Sequence, residues 1–79
     1  MMLKQDYLAI WQERLADQLR RGSILQVRTE ERDGLHHVVG AYQNSEGSEV
    51  WDSYAYFSKQ ELAEEAVKVV RRLAAFENN

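Results

Sequence analysis

The chain has 79 residues, which allows one domain and sits near the lower limit for a core that holds without staples. With no cysteine it has neither a disulfide framework nor a thiolate zinc site, and a hydrophobic content of 44% is too high for a disordered chain. A formal charge of −3 and a pI near 5.3 lower the expectation of a nucleic-acid binder, yet the acidity is too mild for an imitation of DNA.

Residues 3–21 read as a helix. Leu8, Trp11, Leu15 and Leu19 recur at helical spacing, flanked by Leu3, Tyr7 and Ile10. Arg20 and Arg21 suit the negative end of the helix dipole, and Gly22 is a natural stop. Residues 24–31 alternate as a strand, with Leu25, Val27 and Thr29 on one side. Asp33-Gly34 marks a two-residue hairpin turn, and residues 35–43 form the second strand. The polar loop Asn44–Gly47 leads to a third strand over residues 49–57, EVWDSYAYF.

Ser58 and Glu61 are then spaced as a capping box, with Phe57 and Leu62 in the positions of a hydrophobic staple. Leu62, Ala66, Val69, Leu73 and Phe76 make a helical stripe, which Ala63, Val67, Val70 and Ala74 broaden enough to touch both a sheet and another helix. Glu64 and Lys68 are spaced as an i, i+4 pair. The expected fold is α+β in the order α-β-β-β-α: a three-stranded antiparallel meander with two helices packed on one face, in a single domain over residues 1–79.

The third strand is aromatic on both sides, so its register decides what the protein presents to its surroundings. The Asp33-Gly34 turn sets Thr29 opposite Val38, Val27 opposite Gly40 and Leu25 opposite Tyr42. A four-residue second loop pairs Gln43 with Ser48, which puts Trp51 over Gly40, Ser53 opposite Val38 and Ala55 opposite His36. On this register Trp51, Ala55 and Phe57 face inward. The helix-free face then carries Arg28, Glu30, His37, Val39, Asp52, Tyr54 and Tyr56. One residue of slip in the loop reverses the answer.

Arg28, Glu30, His37, Asp52, Tyr54 and Tyr56 form the candidate partner-binding surface, because tyrosine is enriched in interface hot spots. Strand propensity accounts for the same tyrosines without any partner, and a homodimer through this face would hide them. His37, Glu30, Asp52 and the tyrosines are also the one grouping with acid–base chemistry, but a flat sheet lacks the walls of an active site. No nucleophile motif, phosphate loop or cofactor fingerprint occurs, so neither catalysis nor a cofactor is expected. His36 and His37, adjacent on a strand, point to opposite faces and cannot grip one metal ion.

The element order resembles that of double-stranded RNA-binding domains. The run Ser58-Lys59-Gln60-Glu61-Leu62-Ala63-Glu64-Glu65-Ala66 looks like the Ser-Lys-Lys-x-Ala-Lys-x-x-Ala that opens the last helix in that family. The resemblance implies phosphate contacts by lysines at this helix start, of which this chain keeps Lys59; Gln60 and Ala63 replace the others, beside Glu64 and Glu65. The family's Gly-Pro-x-His loop has its nearest match in Gly34-Leu35-His36-His37. The likeness is therefore one of topology. Nucleic-acid binding through the first helix, the Asp33-Gly34 turn, Lys59, Arg20 and Arg21 is the alternative function.

The leading expectation is a non-catalytic protein-binding module, an inhibitor, adaptor or regulator with another protein as partner. Short domains without cofactor motifs serve phages and mobile elements as inhibitors of host defence, anti-CRISPR proteins among them, and this chain is associated with them by size and kind alone. No apolar run approaches about 18 residues. The charged start MMLKQDYLAIWQERL has no signal-peptide core, so a cytoplasmic protein without a membrane span is expected.

Overall fold

The computed structural model describes residues 4–76, with side chains described for residues 10–75. Helix α1 (Lys4–Arg21) is followed by strands β1 (Gln26–Arg32), β2 (Leu35–Gln43) and β3 (Glu49–Phe57), and helix α2 (Gln60–Phe76) ends the fold. The sheet runs β1-β2-β3 with every neighbour antiparallel, the expected meander in an α+β domain. The helix α2 lies across all three strands and α1 packs mainly on α2, so both helices share one side of the sheet.

The core follows from the apolar stripes. Leu15 and Ala16 of α1 meet Ala63, Ala66, Val67, Val70 and Ala74 of α2 over Val27 and Val38 of the sheet. Three of the five α2 residues are alanines, which lets the helix lie close to the strands. Trp11, Leu19, Tyr42, Phe57 and Leu73 close the margins, while the side chains of Leu8, Tyr7 and Phe76 lie outside the described residues. Arg20 and Arg21 occupy the last turn of α1, both paired to Asp17, and Gly22 stops the helix at φ 87°.

Several local expectations change. The N–H of Ile24 bonds back to the Gln18 carbonyl at 3.1 Å, tucking Ile24 under the helix, so Ile24 is buried and Leu25 is half exposed. Helix α2 opens at Gln60, with the Lys59 carbonyl accepting from the N–H groups of Leu62 and Ala63. Leu62 is consequently half exposed, and Ala63 takes the buried position. Glu64 accepts from the Gln60 amide at 2.8 Å in place of Lys68. The Nη2 of Arg71 donates to the Val27 carbonyl at 2.7 Å and ties α2 to β1.

The first hairpin has the expected register, with Thr29 opposite Val38 and Val27 opposite Gly40. Asp33 (φ 53°) and Gly34 (φ 79°) both take the left-handed conformation that a two-residue turn with matching twist requires. The second hairpin is shifted. Asn44 Oδ1 accepts from the N–H groups of Glu46 (2.9 Å) and Ser48 (3.0 Å), which holds Ser48 inside the loop. The ladder therefore begins with Gln43 opposite Glu49, one residue later than a four-residue loop gives.

A second irregularity follows. Val39 faces Ser53 but Val38 faces Ala55, so Tyr54 is the extra residue of a β-bulge. The loop shift reverses the strand's faces, and the bulge reverses them again beyond Tyr54. Ala55 and Phe57 thus point inward as expected, and Tyr56 outward. Trp51, opposite Ala41, moves to the helix-free side, while Asp52, opposite Gly40, moves to the helix side. It is Tyr54, not Trp51, that lies over Gly40: a Cβ there would stand 3.0 Å from Tyr54 Cε1.

Candidate functional site

The helix-free face carries Arg28, Glu30, His37 and Tyr56 of the six residues expected there; the register removes Asp52 and Tyr54 and supplies Trp51, Ser53 and Arg32. The guanidinium of Arg28 lies 4.0 Å from the centroid of the Trp51 ring. Glu30 binds Arg32 Nε at 2.7 Å and approaches Arg28 Nη2 at 3.7 Å. The Arg32 hydrogen bond holds the Glu30 carboxyl below its ordinary pKa, against a smaller opposing effect of burial. His37 Nδ1 and Ser53 Oγ hydrogen-bond at 2.6 Å, and the His37 and Tyr56 rings lie tilted with centroids 5.6 Å apart.

Val39 and Ala41 belong to this side, where no helix lies, yet both are 0% exposed. Their cover comes from the face itself. Arg32 also donates Nη2 to the Trp51 carbonyl at 3.2 Å, although its partner Leu35 lies six positions from Ala41, the partner of Trp51. On a flat sheet six positions span about 20 Å, beyond the reach of an arginine, so the sheet must coil toward this side. The bulge at Tyr54 adds to that twist. The face is a small second core under a lid of mutually paired side chains.

On the helix side, Tyr42, Asp52 and Tyr54 form a cluster. The Tyr42 hydroxyl donates to the Asp52 carboxylate, which raises the phenol's pKa, and the nearby charge adds to the effect. Burial raises that of Tyr54, with the Asp52 charge second. Both phenols therefore hold their protons more tightly than a free tyrosine.

The cations of the nucleic-acid alternative are not brought together. Lys59 follows Phe57, which faces His36, whereas Arg20 and Arg21 precede Leu25, whose N–H bonds to Ala41. His36 and Ala41 are five positions apart along β2, about 17 Å. His36 and His37 do lie on opposite faces, and no group of three or more metal-ligating side chains occurs among the described residues.

The more open feature lies between α1 and β3. Because α1 rests mainly on α2, a groove of about 700 Å³ remains between Ile10, Trp11, Arg14 and Gln18 on the helix and Tyr54, Ala55 and Tyr56 on the strand. The bulge makes it: without it Tyr54 and Ala55 would alternate to opposite sides. Ile10 is 46% exposed, so apolar area stays in water here, while the exposed ring of Tyr56 turns to the other face against His37. The Nε1–H of Trp11 is shut off from solvent and has no acceptor among the described residues. Comparison of the chain with protein-family models, curated proteins and solved structures returns no match.

Sequence reasoning placed Tyr56 on the helix-free face, where its ring lies, and placed Tyr54 there too, although it belongs to the helix side. It missed the groove's other wall: Ile10 and Trp11 read as part of the helix stripe, and Arg14 and Gln18 had no role assigned. One signal was available: Ile10 stands off the Leu8–Trp11–Leu15–Leu19 line, on the flank that the groove uses.

Proposed function

We propose that the chain is a small non-catalytic protein-binding module, an inhibitor, adaptor or regulator, which engages its partner through the groove between α1 and β3. The observation that carries this reading is the exposure of Ile10 beside Trp11 and Tyr54, in the gap left between α1 and β3. Tryptophan, tyrosine and arginine are the residues that most often anchor protein interfaces, and an apolar centre with a polar rim is the usual anatomy. The helix-free face is the weaker candidate, because its charged and aromatic groups are already engaged with one another. No helix among the described residues is long and apolar enough to cross a membrane, in keeping with a partner met in the cytoplasm.

A position-resolved crosslink tests this. A photoreactive amino acid at Ile10 should give a discrete adduct in extract of the native cells, and the same group at Glu65, exposed on α2, should not. Adducts at both positions, or a clean adduct at Glu65 alone, would refute the assignment of the groove.

A further inference from the structure

The groove's chemistry narrows its occupant; this step rests on the groove being the binding site. Of the described residues that line it, only Arg14 is charged, and no hydrogen bond or ion pair joins Arg14 to another described residue. Trp11 lies three positions earlier on the same helix face and lines the groove, with its indole N–H buried and no acceptor for it among the described residues. The remaining lining is Ile10, Leu15, Gln18, Tyr54, Ala55 and Tyr56. No carboxylate is among the described residues that line the space, although the chain carries a net charge of −3. The site thus combines mainly apolar walls with a guanidinium.

Strand addition is a poor fit to this geometry. The bulge at Tyr54 interrupts the edge of β3, and with it the regular row of main-chain groups that an added strand would need. Recognition must run through side chains. We infer that the groove takes an apolar side chain flanked by a carboxylate on a protein partner. Arg14 pairs with the carboxylate, and the apolar group lies between Ile10 and Tyr54, beside Trp11.

The two tryptophans make this testable without the partner, since Trp11 lines the groove and Trp51 lies on the opposite side of the sheet. The isotope-labelled full chain shows an indole N–H resonance for each, and Trp51→Phe assigns them. Phenylbutyrate, phenylbutanol and phenylbutylamine share one apolar body and differ in head-group charge. Phenylbutyrate should move the Trp11 resonance and leave that of Trp51 in place. It should bind about two- to fivefold tighter than the alcohol, the range an exposed ion pair supplies, with the amine weakest. Arg14→Gln should erase that order while the rest of the spectrum stays unchanged. An equal response to all three probes, or the same order in Arg14→Gln, overturns the carboxylate assignment even if position 10 crosslinks a partner. A response at Trp51 with none at Trp11 overturns the groove as well.

Discussion

Gly40→Ala is the sharpest probe of the strand register. Gly40 is not among the glycines with positive φ, so alanine meets no backbone penalty there. Replacing a strand glycine would by itself stabilise by about 0.5–1 kcal/mol through the unfolded chain. Against that, the new Cβ lands 3.0 Å from Tyr54 Cε1 and 3.3 Å from Ile24 Cγ2. Both are well inside the contact distance of about 3.5–4.0 Å between carbons. Overpacking of this kind costs about 1–3 kcal/mol, so the net effect should be a loss of about 1 kcal/mol. In a domain of this size that lowers Tm by about 4–8 °C.

Urea and thermal unfolding, followed by circular dichroism, measure the effect. The decisive step is a double-mutant cycle. In a Tyr54→Ala background the ring is gone, and Gly40→Ala should become neutral or stabilising, a coupling of about 1 kcal/mol. In a Trp51→Ala background the cost should remain. Rescue by Trp51→Ala and not by Tyr54→Ala would mean that Trp51 covers Gly40, and the register described above would be wrong.

Two further outcomes follow from the same geometry. Trp51→Ala should cost less than the roughly 3–5 kcal/mol of a core tryptophan, and its coupling to Arg28→Ala should be about 0.5–1 kcal/mol; a coupling near zero would remove the stacked pair. Stability should also fall at both ends of the pH scale. Tyr42 has its pKa raised on folding, so its contribution is complete below its ordinary value of 10.0 and is lost as pH rises through that region. Glu30 has its pKa lowered, so its contribution is present above its ordinary value of 4.5 and is lost as pH falls. Urea midpoints against pH should flatten at the alkaline end in Tyr42→Phe and at the acid end in Glu30→Gln; unchanged slopes would show that these groups are not linked to folding.

Much of the fold was legible in the chain because its signals are local. Helical spacing from Trp11 to Leu19 and from Ala63 to Ala74, the Gly22 stop and the Asp33-Gly34 turn each report on a few neighbouring residues, and the structure keeps them all. Those signals alone yielded the α-β-β-β-α order and the register of the first hairpin, because a two-residue turn leaves the pairing no freedom. The face of Trp51 and Tyr54 was not decided that way. It depends on whether Asn44 holds Ser48 inside the loop and on a bulge in the middle of β3, each a shift of one residue. A one-residue shift exchanges faces, and in a strand aromatic on both sides either choice buries a ring. The hydrophobic pattern was therefore nearly silent. Packing settled it: Gly40 and Ile24 leave room for Tyr54 on the helix side, while Arg28 takes Trp51 on the other. The groove beside Tyr54 exists because of that choice, so it belongs to the tertiary structure.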